Sequence, residues 1–258
     1  MKHPVREEIV EQIKLKATSW TAKEVEHNDL RHRSAASIRN SMGHLGTTPQ
    51  TLGSEVFKKV AHGAFDMFKH VTEALGIKEE HLKLRQISQD DDMSWIEDSD
   101  LPRSFSWREK MPECLGLIED QGDCGSCWAF TSAGLLSDRF CIHTEGGVNV
   151  RLSPQDLVDC NYENYGCQGG YLITSIDYLM VEGAVSNTCT PYVEKTQTCT
   201  YRCSDGGVTA YDKYYCKPGT IELAISHEEI KRALVNNGPM LMGLQIMEDF
   251  MNYEGGIY

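Results

Sequence analysis

The chain has 258 residues, of which 40% are hydrophobic, and this permits one large or two medium globular bodies. Its formal net charge of −13 argues against a nucleic-acid partner. Residues 1–8 carry charges without the apolar stretch of a secretory signal, and no apolar run is long enough to predict a membrane span.

The cysteines divide the chain into two parts. All ten lie between Cys114 and Cys216, and residues 1–113 have none. This predicts a cysteine-free leader joined to an oxidised domain, as in secreted, lysosomal or vacuolar proteins. Because no secretory signal is visible, either Met1 is not the true start or the domain is cytosolic and binds metal.

The leader contains two predicted helices. Apolar residues recur at helical spacing in residues 5–15 and, more strongly, in residues 54–75, where Ser54 can cap the helix and Gly76 can end it. Residues 88–100 are acidic and predict a solvated linker. Their position just ahead of the cysteine-rich part suits proteolytic cleavage.

Local signals predict four more helices and one strand. A helix opens at Ser126, a second follows the Ser153-Pro154 cap, a third occupies residues 171–180, and Ser226 with Glu229 forms a capping box before a fourth at 227–236. Residues 189–218 have no clear period and indicate a loop region stapled by disulfides. The short apolar run 240–246 predicts a buried strand.

The strongest chemical signal is residues 121–130, QGDCGSCWAF. A thiol reacts as its thiolate, and the first turn of a helix, where Cys127 is expected, favours negative charge. The side-chain amide of Gln121 and the backbone N–H of Cys127 can together form an oxyanion hole. The stretch therefore predicts the nucleophilic half of an acyl-transfer site.

These ten residues resemble the active-site segment of papain-family cysteine peptidases at nearly every position. Further segments resemble other signatures of that family, namely 101–108, 152–160, 166–171, 237–240 and 253–258. The cysteine pattern and residues 141–144 are similar to the cathepsin B branch, and residues 3–46 resemble its inhibitory prosegment.

The resemblance implies an α+β fold of two lobes with a cleft between them. Residues 1–50 would be the helical prosegment, 51–100 a helical extension and acidic linker with the cleavage region, and 101–258 the peptidase domain. We expect a complete helical left lobe and an incomplete β-rich right lobe. The right-lobe strands near 240–246 and 255–258 would then lack partners and expose their edges.

The resemblance also implies roles for single residues. Cys127 would be the nucleophile, Gln121 the oxyanion donor, and Gly169 and Gly170 the backbone that pairs with an extended substrate. No metal or cofactor is implied. The implied disulfides are Cys114–Cys141, Cys124–Cys167, Cys160–Cys199 and Cys189–Cys203. Cys216 is left over, as a free thiol or with a partner beyond Tyr258.

The histidine and asparagine that complete the family's site are not recognised in the chain. Only His143 and His227 follow Cys127, and His143, sixteen residues later, would lie about 24 Å away along a helix. The family's histidine is expected about 130–150 residues or more after the cysteine, and the chain ends 131 residues after Cys127. We therefore expect a C-terminally truncated sequence that does not hydrolyse peptides by itself.

The predicted function is a cysteine-type endopeptidase precursor, lysosomal, vacuolar or secreted, acting on peptides or proteins and inhibited by its own prosegment. The cathepsin B branch removes dipeptides by means of a loop with adjacent histidines, and no histidine lies between Cys189 and Cys203. Three alternatives stay open: a catalytically inactive papain-like binding protein, a redox pair of Cys124 and Cys127, and a zinc site. The zinc site would draw on Cys160, Cys167, Cys189, Cys199, Cys203 and Cys216.

Overall fold

The computed structural model describes residues 3–17, 19–41, 101–218, 221, 224, 226–244 and 246–258. The predicted helix 54–75 and the acidic stretch 88–100 lie outside these residues, so both stay predictions. Within the described ranges no helix is both long and apolar enough to cross a membrane.

Helices far outnumber strands in the described part of the chain. Its helices are α1 (Glu7–Lys16), α2 (Ala35–Asn40), α3 (Trp107–Lys110), α4 (Cys127–His143), α5 (Pro154–Cys160), α6 (Leu172–Val181) and α7 (His227–Asn237). Short 3-10 segments lie at Val25–His27, Asp29–His32, Pro112–Cys114, Gly166–Gln168 and Glu248–Asn252. The two strands are β1 (Trp20–Ala22) and β2 (Tyr253–Gly256).

The main core lies where α4, α5 and α6 meet. Trp128 from α4, Leu157 from α5 and Leu179 from α6 are fully buried there. Helix α5 has the local signals that the sequence predicts: the Ser153 hydroxyl accepts a hydrogen bond from the backbone N–H of Asp156 at 3.0 Å, and Pro154 follows. These three helices form the body that carries the candidate nucleophile at the start of α4.

The C-terminal end of helix α7 contacts the C-terminal end of α4. Its N-terminus has the predicted capping box, in which Ser226 and Glu229 each bond the other's backbone N–H. At its C-terminal end, Trp107 donates its indole N–H to the Leu234 carbonyl at 2.7 Å, and a ring nitrogen of His143 lies 3.2 Å from the Asn237 carbonyl.

Two predictions about the C-terminal strands are wrong. Residues 240–244 and 246 have no strand, although the run is apolar. The predicted strand at 255–258 is observed as β2, slightly earlier in the chain, and it does not lack a partner: it pairs antiparallel with β1, so that Trp20 faces Gly256 and Thr21 faces Gly255. An apolar run forms a strand only if another strand satisfies its backbone groups, and β1 from the leader does this for β2.

The N-terminal segment, defined here as residues 3–41, is attached to residues 248–258 by further contacts. Asn252 is fully buried, and its side-chain amide donates to the Pro4 carbonyl at 3.2 Å. Its backbone carbonyl accepts from the backbone N–H of Lys23 at 2.6 Å. The Trp20 ring lies 6.2 Å from that of Tyr253 and 5.0 Å from that of Tyr258. The predicted first helix also packs: Ile9, Val10 and Ile13 of α1 are buried, along with Val5 just ahead of it.

The contact between the strands requires a glycine at 256. Gly256 has φ +98°, and a Cβ there would lie 2.3 Å from the Ser19 carbonyl oxygen and 2.7 Å from the Cα of Trp20. At the neighbouring Gly255 a Cβ would meet only Thr21 Oγ1, at 3.9 Å. The two glycines therefore provide a matched pair for testing how the N-terminal segment is held.

We expect Gly256→Ala to loosen the N-terminal segment and Gly255→Ala to have little effect. A side chain at positive φ costs about 1–2 kcal/mol, before any clash with the facing strand. Limited proteolysis of the full chain, with peptides mapped by mass spectrometry, should show faster cleavage around residues 17–24 in Gly256→Ala. Equal cleavage rates in the two variants would contradict the observed pairing.

Candidate active site

The loop that precedes α4 is held at both ends. Cys124 forms a disulfide with Cys167, and the backbone N–H of Gly125 donates to the Cys167 carbonyl at 2.8 Å. Ser126 is fully buried, and α4 begins at the next residue, Cys127. Cys127 is partly exposed and is not in a disulfide. The thiol therefore lies in the first turn of a 17-residue helix, where the dipole favours a thiolate.

Trp128 brings the two predicted substrate-binding glycines to the start of α4. Its indole N–H donates to the Gly166 carbonyl at 3.1 Å. A Cβ on Gly170 would lie 2.7 Å from Trp128 Cδ2, so packing alone requires a glycine there. Gly169 has φ +114°, which also favours glycine. Both glycines are buried in this structure, and Gly170 packs against Trp128, the residue that follows the thiol.

Gln121 presents its side-chain amide to two carbonyls. Nε2 donates to the Cys124 carbonyl at 2.9 Å and also to the carbonyl of Ser41, directly after α2. An amide NH₂ group has two hydrogens, so these two bonds use both of them. The N-terminal segment thus engages the group that the sequence predicts to be the oxyanion donor.

Two more side chains of the N-terminal segment contact the same loop. Arg33 donates to the Gly122 carbonyl at 2.7 Å and to the Asp123 carboxylate at 2.6 Å. The Ser37 hydroxyl donates to the same carboxylate oxygen of Asp123. Together, the hydrogen bond from Ser37 and the contact with Arg33 lower the pKa of Asp123 below its ordinary value of 3.8.

The structure adds two residues that the sequence analysis missed. The Tyr192 hydroxyl donates to the Gln121 carbonyl at 2.8 Å and lies 2.6 Å from the Ser126 hydroxyl. The Glu194 carboxylate accepts from the backbone N–H of Asp123. Both residues lie in the stretch 189–218, where no periodic pattern draws attention to a single position.

Neither histidine that follows Cys127 is placed as its base. His143 ends α4, so it is about 24 Å from Cys127 along the helix axis. Burial lowers the pKa of His143, whose ring contacts the Asn237 carbonyl instead. His227 begins α7 and is exposed.

The state of the other cysteines bears on the two alternative roles considered for them, a redox pair and a zinc site. The disulfides are Cys114–Cys141, Cys124–Cys167, Cys160–Cys199 and Cys189–Cys203, the pairs that the family resemblance implies. Cys124 is bonded to Cys167, so it forms no redox pair with Cys127. Five of the six cysteines considered for zinc are in these disulfides. Cys216 is not bridged, and burial raises the pKa of its thiol to about 12.

Comparisons with known proteins identify the family of the chain. The family described as "Papain family cysteine protease" matches residues 101–258. The chain is 30% identical over 242 residues to "Cathepsin B" of Dictyostelium discoideum, covering 87% of this chain and 76% of that protein. It is 31% identical over 244 residues to "Gut-specific cysteine proteinase" of Caenorhabditis elegans, covering 81% of this chain and 73% of that protein.

The match to other relatives covers less of their length. "Cathepsin B-like CP2" of Giardia intestinalis is 32% identical over 176 residues, and the chain spans 56% of it. Among solved structures, "proCathepsin B S9 from Trypanosoma congolense" superposes with a TM-score of 0.72 at 24% identity, covering 99% of this chain and 77% of that one. This likeness shows a papain-like α+β fold.

We expect the contact of Asp123 with the N-terminal segment to weaken only in strong acid. A carboxylate whose pKa is lowered by its partners contributes above its ordinary pKa, and the contribution is lost as the pH falls through the lowered value. Asp123→Asn should therefore speed hydrogen exchange in residues 33–41 at pH 7, after correction for intrinsic rates. As the pH falls through the lowered pKa of Asp123, the native carboxylate also becomes protonated, and the difference should shrink.

The exposed Asp212, replaced by Asn, provides the control, since it removes one carboxylate away from these contacts. Equal exchange rates in Asp123→Asn and Asp212→Asn at pH 7 would show that Asp123 does not hold the segment.

Proposed function

The chain belongs to the papain family of cysteine proteases, in its cathepsin B-like branch, and from this premise we propose that it is the precursor of a cysteine-type endopeptidase. The observation that carries the proposal is the position of Cys127 in the first turn of α4, beside a loop that presents the Gln121 amide. Peptides or proteins are the substrates.

The proposed reaction begins when the Cys127 thiolate attacks the carbonyl carbon of the scissile peptide bond. A C–S bond forms, and the carbonyl oxygen becomes an oxyanion that accepts hydrogen bonds from the Gln121 amide and the Cys127 backbone N–H. The C–N bond then breaks and the amine leaves with a proton, giving a thioester that water hydrolyses. A general base must take the thiol proton and pass it to the amine; His143, at the far end of α4, is too distant for this role.

Latency follows from the contacts of the N-terminal segment, which we propose is part of a prosegment spanning residues 1–50. The Ser41 carbonyl takes the Gln121 hydrogen that an oxyanion would need, and Arg33 and Ser37 hold the loop at Asp123. Pairing of β1 with β2 anchors the other side of the segment. Residues 51–100 would then carry the activation cleavage region, ahead of a peptidase domain at 101–258.

Substrate binding, the mode of cleavage and the location of the protein are each proposed from a separate feature of the chain. We propose that the backbone at Gly169 and Gly170 pairs with an extended substrate, because it lies beside the start of α4. The stretch between Cys189 and Cys203 has no histidine to block the cleft, so endopeptidase action is favoured over dipeptide removal. Four disulfides suit an oxidising compartment, lysosomal, vacuolar or secreted.

The nucleophile is tested by comparing the two cysteines that are not in disulfides. We expect the complete protein, with its prosegment removed, to form an acyl adduct on Cys127 with an activated ester and to cleave fluorogenic peptides. Cys127→Ala should abolish the adduct and lower cleavage at least about 10³-fold. Cys216→Ala should keep both, because a thiol with a pKa near 12 is not ionised at neutral pH.

Retention of cleavage in Cys127→Ala would show that Cys127 is not the nucleophile and would overturn the proposed function. An unmodified protein that binds peptides, yet neither cleaves them nor forms the adduct, would instead be the inactive papain-like binding protein.

The oxyanion donor is tested by Gln121→Ala. Loss of one such donor lowers kcat by about 10²–10³-fold, and we expect that fall with KM changed much less. Gln197→Ala, an exposed glutamine, is the control. Similar kcat values in the two variants, measured by steady-state kinetics, would remove Gln121 from the mechanism.

A further inference from the structure

Three consecutive residues, Tyr192, Val193 and Glu194, connect the active-site loop to the core of the helical lobe. We call residues 192–194 the brace. Each of the three makes a hydrogen bond to a different part of the molecule: Tyr192 to both ends of the loop 121–126, Glu194 to its middle, and Val193 to α5.

The Tyr192 hydroxyl joins the residues that flank the candidate site. Its one proton goes to the Gln121 carbonyl at 2.8 Å, so the Ser126 hydroxyl, 2.6 Å away, must donate to the tyrosine oxygen. Burial raises the pKa of Tyr192, which keeps the phenol protonated and able to donate. The Tyr192 ring also meets the Phe130 ring edge to face, with centroids 4.6 Å apart.

This arrangement diverts Ser126 from the usual role of a helix cap. Ser126 is the N-cap residue of α4 and is fully buried, but its side chain makes no capping bond to the helix. A serine at that position ordinarily accepts from a backbone N–H of the first turn. Because Tyr192 holds the hydroxyl elsewhere, that group does not compete with the Cys127 thiolate for the N–H groups at the helix start.

Glu194 supports the middle of the loop in an unusual backbone conformation. It has φ +59°, a region that a residue with a side chain rarely adopts. In that conformation its carboxylate reaches the Asp123 N–H and lies against Gly122, where a Cβ would come within 1.7 Å of Oε1. Such backbone outliers concentrate at functional sites.

The brace is itself fixed to the core through Gln155. The backbone N–H of Val193 donates to Gln155 Oε1 at 3.0 Å. Gln155 is fully buried in α5, and its amide donates to Asp159 and to the Lys195 carbonyl, each at 2.8 Å. A rigid element that is already part of the core therefore determines where the loop 121–126 lies.

We propose that Tyr192 and Glu194 are positioning residues, which act through Gln121 and Ser126 to align the oxyanion donor with the Cys127 thiolate. The proposal rests on the proposed peptidase function. Neither residue is assigned a contact with substrate. Their loss should therefore change the rate of the chemical step and the reactivity of the thiol, with less effect on substrate binding.

The first test is Tyr192→Phe, which removes the hydroxyl and keeps the ring, with the exposed Tyr201→Phe as the matched control. Misalignment by a fraction of an ångström should lower kcat about tenfold and leave KM within about twofold. In Tyr192→Phe, Ser126 is free to cap the helix, so the thiolate loses donors. The rate of Cys127 alkylation by iodoacetamide at pH 6 should then fall about threefold, and its pH profile should move to higher pH.

The second test compares Glu194→Gln with Glu194→Ala. We measure kcat on the complete protein after removal of the prosegment, and alkylation on the full chain. The glutamine keeps an oxygen that accepts from the backbone N–H of Asp123, so kcat and the alkylation profile should stay unchanged. The alanine should lower kcat and the rate of alkylation. Alkylation is followed by mass spectrometry of the Cys127 peptide, which needs no peptidase activity. Cys127 is partly exposed with the N-terminal segment in place, so the small reagent can reach it.

The outcomes separate the two proposals. If the complete unsubstituted protein, with its prosegment removed, cleaves no peptide, the proposed function fails, and the alkylation profiles still test the brace. If Tyr192→Phe and Glu194→Ala lower only the melting temperature, while kcat and the alkylation profile of the folded protein match Tyr201→Phe, the brace is merely structural and the inference is overturned.

Discussion

Burial of Trp128 is the constraint on which the candidate site depends. Its ring is fully buried in the main core, and its indole N–H is satisfied by the Gly166 carbonyl. Cys127 is the preceding residue, so fixing Trp128 fixes the start of α4 and places the thiol at the positive end of the helix dipole. The same ring excludes any side chain at Gly170. The packing of Trp128 thus sets the position of the nucleophile and requires a glycine at the neighbouring position 170.

The Gln121 amide connects latency with the proposed activity. One of its hydrogens is held by the Cys124 carbonyl of its own loop, and the other is taken by the Ser41 carbonyl. A bound oxyanion would need that second hydrogen, so the N-terminal segment opposes catalysis at the group that would stabilise the transition state. The brace holds the backbone of the same residue through Tyr192. Its side chain can then exchange one acceptor for another while the loop stays in place.

Features that depend on local sequence were predictable from the residues, and the disulfides from the family resemblance, whereas the pairing of distant backbone segments was not. The capping box at Ser226 and the cap at Ser153 are set by residues within one turn, and both are observed. Pairing of β1 with β2 joins residues more than 230 positions apart, and no local pattern in Trp20–Ala22 identifies that partner. The apolar run at 240–246 was wrongly predicted as a strand, because hydrophobicity does not supply hydrogen-bond partners. Tyr192 was missed because its role arises only when the fold brings residue 192 to residues 121 and 126.

In the full chain the Ser41 carbonyl occupies the side-chain amide of Gln121, the proposed oxyanion donor. NMR of the Gln121 side-chain NH₂ group, assigned by its disappearance in a Gln121→Ala sample, tests this in the full chain before and after proteolytic removal of residues 1–50. We predict two distinct, slowly exchanging protons in the full chain. After removal, one proton should shift and exchange rapidly with water, and the other should stay protected by the Cys124 carbonyl. Two resonances that do not change on removal of the segment would show that Ser41 does not hold this amide.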